Sequence, residues 1–135
     1  MRILIDTNVI MDILQKREPF FADSYRALRK AMESDAECLI SASAATDIFY
    51  MLRKALGSAQ QAKEQIEQLA QLVSFADVQG MDIHTALMRA MPDFEDAVVD
   101  AVAERSGASY ILTRNIKDFT GSVVPAILPA DFLNK

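Results

Sequence analysis

The sequence holds a single cysteine, Cys38, a single histidine, His84, and only four glycines and four prolines. One cysteine cannot form an internal disulfide, and Cys38 has no Cys or His partner at a metal-ligand spacing. That points to a reducing compartment and away from zinc. His84 lies within a helical pattern, remote in sequence from any candidate nucleophile, which argues against a Ser-His-Asp arrangement. No apolar run approaches the roughly 20 residues needed to cross a bilayer, and the opening run passes straight into Asp6 with no signal-like apolar region. A cytoplasmic location without membrane attachment is the expectation. Positive charge is short as well: 14 Lys and Arg face 19 Asp and Glu, for a net charge of -5. A nucleic-acid partner therefore cannot be held by a broad basic surface. Neither GxxxxGK[ST] nor GxGxxG is present, so no nucleotide-phosphate loop is announced. Repeats, Ser- or Pro-rich linkers and long charge blocks are absent too.

What remains is a chain with 51% hydrophobic residues over 135 positions, enough to bury one sizeable core, so a single domain over residues 1–135 is expected. Residues 2–5 (RILI) read as a strand ending in the acidic turn Asp6-Thr7-Asn8, and Val9, Ile10, Ile13 and Leu14 follow at helical spacing. Pro19 is placed at the opening of a second helix whose Phe21, Tyr25, Leu28 and Met32 form the buried face. A strand at 37–40 leads through Ser41 and Ser43, candidate caps, into a helix with Ile48, Leu52, Ala55 and Leu56, stopped by Gly57. Ser58 and Gln61 make a capping-box pattern for a helix with Ala62, Ile66, Leu69 and Val73 inward. A strand at 73–78 and a helix burying Ile83, Leu87 and Ala90, ended by Pro92, come next. Asp93 caps a sixth helix closed by Gly107, Ser109 to Leu112 is a strand, and 123–128 is a candidate edge strand. Strands alternating with helices predict a three-layer α/β/α sandwich around a mostly parallel sheet, with ligands at the carboxyl ends of the strands.

Those ends are acidic. Asp6 closes the first strand, Asp47 follows the second, and Thr113, Arg114 and Asn115 close the fourth with Asp118 just beyond. The sixth helix begins with Asp93, Glu95 and Asp96. Carboxylates gathered without Lys or Arg partners need raised pKa values or a bound cation, and oxygen-only ligands favour Mg²⁺ or Mn²⁺. Such an ion activates water and neutralises phosphate, the chemistry of phosphodiester hydrolysis, and it lets an acidic protein hold nucleic acid with Arg114 and Lys117 steering the backbone.

Three segments, RILIDTNVIMDIL, ISASAATDIFYMLRK and PDFEDAVVDAVAERSGASYILTRNIKDF, together resemble PIN-domain ribonucleases, and among them the VapC-like toxins of toxin-antitoxin systems. The resemblance spans nearly the whole chain. It implies an RNA-cleaving site dependent on Mg²⁺ or Mn²⁺, with a cognate antitoxin as partner. The carboxylates it implies are Asp6, Asp47 and Asp96, with a late position at Asn115 or Asp118. The second position is more usually Glu, and the fourth is often Asp where this chain has Asn115, so Asp118 is the carboxylate available as the fourth ligand. Thr7, Asn8, Thr113 and Asn115 are supporting residues beside the ligands.

Each residue has a plainer role open to it. Asp6 and Asp93 can cap helices, Asp47 can be a polar residue on an amphipathic face, and Asp96 at the third position of its helix can serve the helix terminus. Asp100 is at most an accessory candidate along the Asp93, Asp96, Asp100, Glu104 row. Phe49, Tyr50 and Phe94 are core residues first and RNA-stacking residues second. The apolar spread of Phe49, Tyr50 and Met51 beside Ile48 and Leu52 predicts a homodimer. Phosphoaspartate hydrolases want an Asp where Asn8 stands, and a receiver domain wants acidic residues and a late Lys that cannot be placed. A catalytically weakened PIN-like module that binds RNA or protein is the remaining alternative.

Overall fold

The structure, a computed structural model describing residues 1–135, is built on five parallel strands. In chain order its elements are β1 (Arg2–Ile5), α1 (Thr7–Leu14), α2 (Phe21–Glu33), β2 (Glu37–Ser41), α3 (Ala42–Leu56), α4 (Ala59–Ala70) and β3 (Ser74–Ala76). There follow α5 (Gly80–Leu87), α6 (Phe94–Arg105), β4 (Tyr110–Leu112), a 3-10 turn (Ile116–Phe119), β5 (Ala126–Ile127) and α7 (Pro129–Phe132). The sheet order is β3-β2-β1-β4-β5, so β1 is central and the chain reverses its direction of travel across the sheet between β3 and β4. Ile3 pairs with Cys38 on one side and with Tyr110 on the other.

Both faces of the sheet are covered, and the strand residues sort between them with the period of two that a pleat demands. Ile3, Ile5, Cys38, Ile40 and Leu112 join a core with residues of α1, α2, α3, α4 and α7. Leu4, Leu39 and Ile111 point the other way, into a second core with Ala97, Val98, Val102 and Ala103 of α6 and Ala86 of α5. This is the expected three-layer sandwich. No helix is long and apolar enough to cross a membrane.

Several expectations about faces are corrected. Pro19 does not open α2, which starts at Phe21. The buried stripe of α2 is Ser24, Ala27, Leu28 and Ala31, while Tyr25 and Met32 are exposed. Small residues let α2 lie close against its neighbours, and Phe21 and Tyr25 stack on each other outside, ring centroids 5.6 Å apart. On α3, Ala55 and Leu56 are exposed. Ser41 holds the cap position there without a capping bond, its hydroxyl instead meeting Ser43 Oγ at 2.7 Å. The third strand is shorter than 73–78 because the Val73 N–H still bonds back to Leu69 O at the end of α4. Ile83 and Leu87 of α5 face solvent, as does Ala90 beyond its end, and the buried residues of the helix are Asp82 and Ala86. An apolar stripe does not seat this helix. Arg105 of α6 grips Asp82 through Nε (3.0 Å) and Nη2 (2.9 Å), and Asp82 also accepts the Gln79 N–H. The Arg105 bonds hold the Asp82 carboxyl below the usual carboxylate range.

Asp100 likewise proves structural. It is fully buried in α6, accepts the N–H groups of Val123 and Val124 at 2.9 Å each, and faces Arg89 Nε at 3.2 Å. The loop it holds contains Gly121 at φ 90°, where a Cβ would come within 2.5 Å of Ala90 O, so only glycine fits. Replacing Asp100 by Ala strands two amides and an arginine together. We expect a loss of about 3 kcal/mol in the urea unfolding free energy, and a loss under 1 kcal/mol would contradict this account.

Candidate active site

At the carboxyl end of β1 the chain turns directly into α1, and Asp6 is the residue at the turn. Its backbone is extended (φ -72°, ψ 152°), and its Oδ1 caps the helix by accepting the Thr7 N–H at 2.9 Å. Its other oxygen, Oδ2, accepts from Thr113 Oγ1 at 2.8 Å and from Asn8 Nδ2 at 3.3 Å. Thr113 follows β4, the strand beside β1, and is fully buried. Its Oγ1 also accepts the Asn115 N–H (3.0 Å), while Asn8 Oδ1 accepts the Arg114 N–H (3.3 Å). The turns after β1 and β4 are thus laced together by side chains. Thr7, Asn8 and Thr113 stand where their supporting assignments put them. Asn115 joins the network through its backbone and is itself exposed.

The remaining carboxylates approach from three other elements. Asp96 sits in the first turn of α6, its N–H bonded to the Asp93 cap at 3.1 Å. Asp118 is half-buried in the 3-10 turn, and Asp47 is exposed on α3. Electrostatics shows how they meet. Burial, then the charges of Asp6, Asp93, Asp118 and Glu95, push the Asp96 carboxyl up to about 7. Burial also raises Asp6, against the bonds from Thr113 and Thr7, and Asp118 adds to the rise. Glu95 is raised by burial and then by Asp47, Asp93 and Asp6. Asp6, Asp96 and Asp118 therefore form the coupled centre, with Asp47 linked to it through Glu95. Glu95 is a carboxylate that the sequence leaves among the rim acids, and only the fold shows that it feels the charges of both Asp47 and Asp6. Of the two late residues, Asp118 adds its charge to both Asp6 and Asp96, and Asn115 joins the Asp6 turn through its backbone bond to Thr113.

No Lys or Arg pairs with Asp6, Asp47, Glu95, Asp96 or Asp118. Arg114, expected to steer a nucleic-acid backbone, is committed elsewhere, which corrects that reading. Its Nε and Nη2 reach Oδ2 (2.6 Å) and Oδ1 (3.1 Å) of Asp12, which is fully buried and also accepts from Ser24 Oγ at 3.2 Å. Asp12 was missed in the sequence, although an acid flanked by Met11, Ile13 and Leu14 on an otherwise apolar helix asks for a buried partner. Lys117 is exposed and makes no ion pair, so it keeps its charge for a ligand.

Oxygen donors, surplus negative charge and a carboxyl lifted to about 7 fit a hard divalent cation. The side chains do not stand as a finished cage, since no three His, Cys, Asp or Glu groups converge on one point. Asp47 and Glu95 line one hollow of about 410 Å³, and Asp118 lines another of the same size. One has Thr7, Ser43, Asp47 and Glu95 in its wall, and the other has Arg114, Asn115, Lys117 and Asp118.

The model of the PIN domain family matches residues 2–117. Among solved structures, a chain of VapBC2 from Rickettsia felis, bound to a DNA fragment from its promoter, is similar at TM-score 0.74 and 14% identity, with 95% of this chain and 98% of that chain covered. A chain of FitAB bound to IR36 DNA is similar at TM-score 0.76 and 19% identity, covering 95% of each. VapC20 from Mycobacterium tuberculosis, described as a sarcin-ricin loop cleaving toxin, is similar at TM-score 0.62 and 19% identity, covering 81% of this chain and 86% of that one. No curated protein matches the chain in sequence.

The raised carboxyls predict a pH dependence. The folded protein binds more protons than the unfolded chain between the ordinary Asp value of 3.8 and about 7, so metal-free stability falls as pH rises through that window and levels off above it. In chelator, urea unfolding at pH 5 is expected to exceed that at pH 7.5 by roughly 1–2 kcal/mol. Asp96→Asn should flatten the difference and stabilise the protein at pH 7.5. A stability that rises over this range would refute the coupling.

Proposed function

The chain belongs to the PIN domain family, and from that premise we propose that residues 1–135 act as one metal-dependent endoribonuclease domain, the toxin of a toxin-antitoxin pair. The observation that carries this reading is the coupled Asp6, Asp96 and Asp118 group at the carboxyl ends of the strands, with no Lys or Arg in a direct ion pair with any of the three. Asp6, Asp96 and Asp118 would hold Mg²⁺ or Mn²⁺, with Asp47 and Glu95 as further acids of the rim. When bound, such an ion supplies charge neutralisation at the phosphate and acidifies a water.

The protein's own residues do the rest. Thr113 and Asn8 donate to Asp6 Oδ2 and fix the direction in which its carboxylate faces. Asp96, poised near neutrality, holds a proton in the metal-free protein and gives it up as a cation arrives, so cation uptake releases protons. Lys117, exposed beside Asp118, binds a backbone phosphate and keeps the strand against the rim.

The partners follow from the same surface. An acidic rim without its own cations is complementary to an arginine from an antitoxin, whose planar fork suits paired carboxylates. Self-association belongs to α3 and α4, but on a narrower patch than the sequence suggests. Phe49 and Met51 pack against the core, leaving Tyr50, 64% exposed, beside a hollow that includes Ile66.

Asp6→Asn and Asp96→Asn are each expected to lower RNA cleavage at least a hundredfold with folding retained, in assays of ribonuclease-free preparations with Mn²⁺ or Mg²⁺. Asp118→Asn should weaken metal affinity, whereas Asn115→Asp should leave it unchanged. Cleavage intact in both Asp6→Asn and Asp96→Asn would leave a non-catalytic RNA- or protein-binding module as the better reading. Sedimentation should report a dimer at micromolar concentration, and a 15.0 kDa monomer would remove the proposed self-association.

A further inference from the structure

The hollow beside Asp118 does not end at the rim. It shares Arg114 and Leu128 with a second hollow of about 420 Å³, which continues past Phe20 to Pro129, so the two form one path leading away from the carboxylates. Phe20 stands at the head of α2 with 39% of its surface exposed, and it stacks on no other aromatic ring. One face of its ring lies 3.8 Å from the Arg114 guanidinium. That guanidinium is locked by its two bonds to Asp12, which Ser24 pins from α2. An aromatic ring held rigidly by a planar cation, open to solvent and flanked by Leu128 and Pro129, is a stacking platform.

We propose that this path is a nucleobase subsite, taking an unpaired base of the RNA strand next to the position of cleavage. The inference rests on the nuclease reading and adds to it where the strand runs. Charge gives the direction. The exposed Lys117 at the rim end suits a phosphate, whereas the far end carries Asp23, which repels phosphate and accepts from a base N–H. A base therefore lies over Phe20 while its phosphate lies toward Lys117. Stacking is indifferent to base identity, so Phe20 adds affinity for single strands, and Asp23 favours bases with an amino or imino donor.

The test measures binding without cleavage. In the full-length wild-type protein, with Ca²⁺ replacing Mg²⁺ or Mn²⁺ so that RNA is bound and not cut, fluorescence anisotropy compares an eight-nucleotide single-stranded RNA of mixed sequence with an abasic strand of the same length. The base-bearing strand is expected to bind at least tenfold more tightly. Phe20→Leu, which keeps apolar bulk and loses the ring, should bring that ratio close to one, with an unchanged urea midpoint showing that the fold is intact. If the ratio survives in both Phe20→Leu and Phe20→Ala while RNA still binds, the subsite is overturned and the nuclease reading stands. If neither strand binds the parent protein, both readings fall. If Phe20→Leu changes the oligomeric state and leaves the ratio alone, the groove belongs to a second copy of the chain and the proposal fails.

Discussion

Asp6 is charged in a place that works against charge, and the site depends on how that is managed. Burial and the nearby Asp118 raise its pKa, while donors from Thr113 and Thr7 and the charge of Arg114 act against the rise. Those donors come from the turns after β1 and β4, the two strands paired most centrally in the sheet. The carboxylate's position is thus a consequence of strand register. Ile5 pairs with Leu112, the next residues are Asp6 and Thr113, and their side chains meet because the strands are parallel and end together. A shift of one residue in that pairing would put Thr113 on the other face and leave the carboxylate buried without its strongest donor.

The allocation of arginine follows from the same constraint. Three buried acids, Asp12, Asp82 and Asp100, each receive one: Arg114, Arg105 and Arg89. An unpaired buried carboxylate is costly, and each pair also ties two elements together: α1 to the turn after β4, α5 to α6, and α6 to the segment that precedes it. Three arginines are thereby drawn into the scaffold, and no Lys or Arg pairs with Asp6, Asp96 or Asp118, where the charge of Arg114 only partly offsets the rise at Asp6. The shortage of positive charge visible in the composition is a shortage at the site, and the structural pairs are what concentrate it there.

Much of this was legible in the chain. The strands and the acidic residue at the end of each were readable because a parallel strand covered on both faces is a short apolar run, and a turn residue after it is conspicuous. Asp6, Asp47, Asp96 and Asp118 were chosen from that pattern and from family resemblance; in the fold Asp6, Asp96 and Asp118 feel one another's charge, while no three acidic groups converge on one point. Helix faces were read less well. On α2 small residues are buried and aromatic ones exposed, and on α5 a salt bridge replaces the apolar stripe, so a search for large hydrophobics at helical spacing pointed to the wrong side of both. The role of Arg114 was misread because its partner lies 102 residues away, and a cation beside an acidic rim reads as free until its partner is seen. Glu95 was left out because its significance is a distance to Asp47 that no spacing encodes.

Rigidity is distributed unevenly across the site, and that bears on how it works. Asp6 is fixed by bonds to three residues, whereas Asp47 stands exposed on α3 and makes no hydrogen bond through its side chain. With no three acidic groups converging, the fixed side of the site supplies a template and the loose side must move toward it. Drawing Asp47 and Glu95 inward brings like charges closer, which is unfavourable unless a cation is present to offset it. On the nuclease reading, metal occupancy is then coupled to closure of the rim. The shorter Asp47, where the family more often has glutamate, lengthens the distance to be closed and makes that coupling stronger.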